Sequence, residues 1–119
     1  MSIDDFLHTL RSAPASLQFD QTLSVIDANY QFTPTRFRNG DAVNEADQNQ
    51  GSCKLLSFAQ LQGLSADEAL ACFGQYYRDD VLGNPDGSDH QNIRNFIRYG
   101  WEGVVFEGRA LTARASRAQ

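Results

Sequence analysis

Ile3, Phe6, Leu7 and Leu10 fall at helical spacing behind Ser2 and Asp5, so the pattern predicts an amphipathic helix over residues 2–11 with its apolar stripe on a core. Pro14 and Ser16 break it. Phe19, Leu23, Ile26 and Tyr30 then recur at intervals of four, three and four, one face of a second helix. Between residues 31 and 38 the period shortens. Phe32, Thr35 and Phe37, interrupted by Pro34, predict an edge strand or extended segment, and Asn39-Gly40 ends it as a turn.

Residues 39–50 form a polar stretch with three asparagines, two glutamines and no aromatic residue. After it, Ser52 is placed to cap a helix holding Leu55, Phe58, Ala59 and Leu61, with Gly63 as its stop. Ser65-Ala66-Asp67-Glu68 reads as a capping box opening a helix with Ala69, Leu70, Phe73, Tyr76 and Tyr77. The turn Gly83-Asn84-Pro85-Asp86-Gly87 leads to Ser88 as N-cap of a helix with Ile93, Phe96 and Ile97, ended by Gly100. Val104, Val105 and Phe106 predict a strand, with residues 109–113 returning as its hairpin partner across Glu107-Gly108. The expectation is one α+β domain over residues 1–113, mainly helical with a small antiparallel sheet, and a flexible tail over 114–119.

Composition narrows the function classes. At 119 residues with 41% hydrophobic and 21% charged content, the chain can bury a core without metal or disulfide staples. The net charge of −5 argues against nucleic acid or anionic membrane as a partner, since phosphate binding needs a basic face. Arg109, Arg114 and Arg117 read as a solvated basic end. No apolar run approaches the roughly 20 residues of a membrane span, and Asp4 and Asp5 stand where a signal peptide would carry positive charge. Two cysteines without such a signal predict free thiols in a reducing, cytoplasmic setting.

The candidate chemistry centres on Gly51-Ser52-Cys53-Lys54, where a cysteine meets the predicted start of a helix beside the chain's one lysine. A helix N-terminus and an ammonium both stabilise a thiolate. With His90 as base, Cys53 would make an activated nucleophile for an acyl-type substrate. The alternatives are an inert, packed Cys53 and a helix-capping role for Asp89 and His90. Cys72, beside Leu70 and Phe73, reads as core. The first hypothesis, to which the thiol enzyme is the alternative, uses the polar loops as a binding surface for an unidentified small molecule or protein: Asn44, Asn49, Ser52 and His90 would line one concave face, with Lys54, Tyr77, Arg78, Asp89, Asn92 and Arg94 as further contacts. Asp79 and Asp80 oppose a helix dipole at the end of Tyr76-Tyr77-Arg78, a local cost that a salt-bridge network would offset. No metal-ligand spacing, nucleotide loop or nucleophile elbow is present, so neither a metal nor a cofactor is expected.

Several segments resemble the HopJ-type effector family, first described as type III secreted proteins of plant-pathogenic bacteria. They are Phe32-Thr33-Pro34-Thr35, Phe37 with Asn39-Gly40, the run from Asn49 to Lys54, and Phe58-Ala59-Gln60-Leu61. Gly63-Leu64-Ser65, Ala71-Cys72-Phe73-Gly74, Tyr76-Tyr77-Arg78 and the run from Pro85 to Phe96 continue the match, which closes with Gly100-Trp101 and Gly103 to Leu111. The resemblance implies an effector-like or accessory protein and a type III export route, and carries no catalytic mechanism or substrate with it. Type III export signals are usually disordered and serine-rich, whereas residues 2–11 read as a capped helix.

Overall fold

The computed structural model describes residues 1–114. Helix α1 (Ile3–Ser12) starts where Ser2 Oγ accepts a hydrogen bond from the Asp5 amide at 3.0 Å, with Asp4 and Asp5 on the positive end of the helix. It buries Phe6 and Leu10. A single 3-10 turn, Pro14–Ser16, leads to α2 (Phe19–Asn29). Two glutamines cap α2 reciprocally, Gln18 and Gln21, in place of the usual Ser and Glu.

Pro34 divides the predicted extended segment between two sheets. Before it lies β1 (Tyr30–Phe32), after it β2 (Phe37–Asn39), and β2 turns through Gly40 into β3 (Ala42–Asn44). The polar stretch therefore contains a strand that its composition concealed. Helix α3 runs Gln50–Leu61 and α4 Ala66–Cys72, the latter opened by the expected Ser65–Glu68 capping box. Gly74 at φ +63° ends α4, so Tyr76 and Tyr77 belong to a separate π-helical segment, Tyr76–Val81. Helix α5 (Gln91–Tyr99), a 3-10 turn (Gly100–Gly103), β4 (Val104–Phe106) and β5 (Leu111–Ala113) complete the described chain.

The expected hairpin of the last two strands does not form. β4 pairs antiparallel with β2 in the order β3-β2-β4, while β5 pairs antiparallel with β1 in a second, two-stranded sheet. The fold is α+β, mainly helical, with these two small sheets around a single core. Phe58, fully buried, meets Phe6 and Tyr30 edge-on at 5.9 and 6.0 Å, which locks α3 between α1 and the end of α2. Arg114, assigned from the sequence to the tail, is held: its amide bonds Asn29 O and its guanidinium bonds Asp27 O. The rest of the expected tail, 115–119 with Arg117, lies outside the described residues.

Candidate functional site

A cleft of about 590 Å³ opens where β3 and the first turns of α3 and α5 come together over the start of α2. Asn44, Asn49, Ser52, Asn92 and His90 all line it, as the binding-surface expectation required of Asn44, Asn49, Ser52 and His90. Phe19, Phe73 and Tyr76 supply an apolar wall. Phe19 stacks on Phe73 at 6.2 Å and packs on Tyr76 at 5.1 Å. Among the described residues no Asp, Glu, Lys or Arg lines the cleft.

The two helix starts differ from their predicted positions in the same way. Asn49, not Ser52, caps α3, and His90, not Ser88, caps α5. Both are left-handed, at φ 48° and φ 50°, and these are the two non-glycine residues with positive φ among those described. Neither side chain bonds its own helix. Asn49 Nδ2 donates instead to Asn44 Oδ1 at 2.7 Å, and the His90 ring pairs with Asp80. The first turns of α3 and α5, positive ends of two helix dipoles, thus face the cleft without a side-chain cap.

Behind this wall the asparagines form a buried network. Asn44 and Asn92 exchange reciprocal amide bonds at 3.0 and 3.1 Å, and Asn39 Nδ2 donates to both Asn92 O and Asn92 Oδ1. Asn95 Nδ2 donates to Asn39 O. Asn39, Asn44, Asn92 and Asn95 are all buried. The network ties β2 and β3 to α5 and fixes the cleft edge, since buried amides give up their partners only at a cost. Asn39 and Asn95 were not singled out from sequence. Asn39 read as a turn residue, and Asn95 lies among polar and apolar neighbours with no distinguishing pattern.

Cys53 is not at this site. Because α3 begins at Gln50, Cys53 lies most of a turn inside the helix and faces the core, 1% exposed, with Sγ donating to Thr35 O at 3.6 Å. Burial pushes its thiol up from 9.0 to about 11, the opposite of activation. Burial likewise pushes Cys72, assigned to the core from sequence, up to about 12. Cys53 and His90 make no hydrogen bond to each other, so the expected thiol–imidazole pair is corrected: Gly51 and Ser52 face the cleft and the cysteine faces away. Both thiols are expected to alkylate slowly and alike at about pH 8.5, where a free thiol is half ionised, and rapidly once denaturant opens the core. Because the folded protein keeps these protons while the unfolded chain releases them, stability should fall as pH rises from about 9 towards 11–12. Denaturant melts across that range measure the loss.

The remaining predicted contacts lie elsewhere. Lys54 Nζ pairs with Asp27 at 2.9 Å and sits 5.1 Å from the Phe32 ring. Tyr77 and Arg78 line a separate, mostly apolar groove of about 440 Å³ with Leu10, Pro14 and Ala71, where Arg78 donates to Leu17 O. Arg94 fastens the loop of residues 83–89 by donating to Asn84 O and Asp89 O, and its pairing with Asp89 Oδ1 at 2.7 Å holds that carboxyl below the usual range. Arg94 and Asp89 are therefore loop fasteners. Asp80, placed by sequence in an arginine-balanced network, pairs with His90 at 3.0 Å. Among the described residues no group of three or more His, Cys, Asp or Glu is arranged to hold a metal ion, and no helix is long and apolar enough to cross a membrane.

Fold and cleft together define a small α+β protein whose described residues form an uncharged cleft beside an aromatic wall. The chain belongs to the HopJ type III effector protein family, whose match covers residues 3–111. It is similar to a protein of unknown function, VPA0580, whose crystal structure superposes with a TM-score of 0.94 at 50% sequence identity, covering 96% of this chain and 95% of that one. No curated protein matches it.

Proposed function

We propose that the protein is an effector-like or accessory protein that binds a small molecule in the cleft between α3 and α5. The observation that carries this reading is the convergence of Asn44, Asn49, Ser52, Asn92 and His90 on one concavity. Its volume of about 590 Å³ falls within the ~300–1,000 Å³ of small-molecule sites. A ligand of matching chemistry has a planar or apolar part for Phe19 and Tyr76, and acceptor groups for the first-turn amides of Gly51, Ser52, Gln91 and Asn92. The uncharged lining and net charge of −5 speak against nucleic acid. The family's description adds type III export as a route out of the cytoplasm, which a secretion assay on the full chain tests.

Amide NMR spectra recorded against a panel of small aromatic acids, nucleosides and sugars test the cleft. Binders should shift Gly51, Ser52, Gln91 and Asn92 together. Ser52→Tyr, which fills the cleft from a half-buried position outside the asparagine network, should abolish those shifts while leaving the melting temperature within a few degrees. Shifts that cluster around Tyr77 and Arg78 instead would assign binding to the apolar groove and refute the proposal.

A further inference from the structure

His90 does more than begin a helix. Its left-handed backbone, at φ 50° and ψ 50°, is strained for a residue with a side chain, and that side chain makes no cap bond. The ring is held instead by two residues of the π-helical segment. Tyr76 stacks on it at 5.1 Å and 24°, and Asp80 Oδ2 accepts from Nε2 at 3.0 Å. π-Helical turns recur at functional sites because they re-aim side chains that a regular helix would space apart. A ring nitrogen that donates to a carboxylate carries the proton, so in the neutral imidazole the lone pair resides on Nδ1. Nδ1 has no hydrogen-bond partner among the described residues, and the half-buried ring lines the cleft.

We infer that Asp80 and His90 form a proton-accepting dyad for the occupant of the cleft, with Nδ1 taking a hydrogen bond, and then the proton, from a ligand hydroxyl or a water held beside it. The inference rests on the cleft being the binding site. It narrows the ligand to a hydroxyl-bearing small molecule whose planar or apolar part packs on Phe19 and Tyr76, or one attacked by a water in that position. In the transfer the O–H bond breaks, its electron pair stays on oxygen, and an N–H bond forms at Nδ1. The resulting imidazolium faces the carboxylates of Asp80 at 3.0 Å and Asp89 at 4.0 Å. The oxyanion left on the other side faces the uncapped first turns of α3 and α5. Tyr76 is the other titratable group packed against the ring. His90 is the group that would touch substrate, and Asp80 is a positioning residue that fixes its tautomer.

The chain holds two histidines, and exposed His8 on α1 is an internal control. Treatment of the full chain with diethylpyrocarbonate at about pH 8, where unperturbed imidazoles are neutral, should carbethoxylate His90 several-fold faster than His8 although His90 is the less exposed. Asp80→Asn should bring His90 down to the rate of His8 or below. Nitrogen-15 imidazole spectra of the unmodified protein should show His90 as the Nε2–H tautomer, a signature that needs no variant and so stands even if Asp80→Asn fails to fold. A His90 rate no faster than His8, or an Nδ1–H tautomer, overturns the dyad. Neither measurement uses a ligand, so the dyad can fail while the cleft still binds, and the cleft can fail while the dyad stands.

Discussion

Asn92→Leu should be the most destabilising single substitution at the site, lowering stability by about 2–6 kcal/mol: it strands the buried Asn44 Nδ2 at about 1–3 kcal/mol and removes one further hydrogen bond, worth about 0.5–1.5 kcal/mol, from each of Asn39 Nδ2 and Asn44 Oδ1. Asn92 Oδ1 accepts from both Asn39 and Asn44, and its own Nδ2 donates to Asn44 Oδ1. Leucine has the same branched skeleton, with bulkier methyl groups, but offers neither donor nor acceptor, so the loss is chiefly of hydrogen bonds. Asn39 on β2 is fully buried, and Asn44 on β3 keeps only 3% of its surface exposed where it borders the cleft, so little water reaches them to replace the missing partner. Backbone bonding from Asn39 Nδ2 to the residue 92 carbonyl survives the change, which keeps the effect below total unfolding. Urea melts measure it. A cost under about 1 kcal/mol, the size of a solvated surface contact, would show that the network is open to water.

The second large effect falls on Gly74→Ala, expected to cost about 2–5 kcal/mol from left-handed strain and overpacking together. Gly74 has φ +63°, and a Cβ there would stand 2.6 Å from the Phe19 amide nitrogen and 2.9 Å from the Gln18 carbonyl carbon. Both obstacles are backbone, so no side-chain rotation relieves them. The chain needs this glycine because the start of α2 is pressed against the junction of α4 and the π-helical segment, where Thr22 Oγ1 also donates to Cys72 O. That contact positions Phe19 and Tyr76, the aromatic wall of the cleft. Gly74→Ala should therefore reduce ligand binding as well as the melting temperature, whereas Gly63→Ala, equally left-handed at φ +67° but with open space around it, should lose stability through strain alone. Comparison of the two variants by thermal melts separates conformation from contact.

Helices were legible wherever apolar spacing and a capping residue agreed. Ser2 and Ser65 cap α1 and α4 as their sequence position requires. Ser52 and Ser88 carried the same signal and were decoys, because Asn49 and His90 enter the left-handed region and start their helices elsewhere. A three-residue displacement of the α3 start was enough to turn Cys53 from an exposed helix end into the core, which removed the thiol chemistry. β3 was hidden because Ala42-Val43-Asn44 lies in a polar run with little β-propensity, although it is the local hairpin partner of β2 through Gly40. The pairing of β4 with β2 joins segments more than 60 residues apart, which local pattern does not report, whereas Glu107-Gly108 signals a hairpin that does not form. Asn44, Asn49, Ser52 and His90 nonetheless line one concavity, since loops that begin helices concentrate polar groups and here two of them meet. Lys54, Tyr77, Arg78, Asp89 and Arg94 carried equally polar or aromatic side chains but point to ion pairs, a groove and a loop fastening.

The most direct test of the cleft as the binding site is a crystallographic screen of hydroxyl-bearing aromatic fragments soaked into the full-length protein, with Ser52→Tyr crystals as the parallel sample. Recurrent density against Phe19 and Tyr76, contacting the first turns of α3 and α5 and absent from Ser52→Tyr, is the predicted result. Fragments that leave the cleft empty and gather in the groove beside Tyr77 and Arg78 would contradict it.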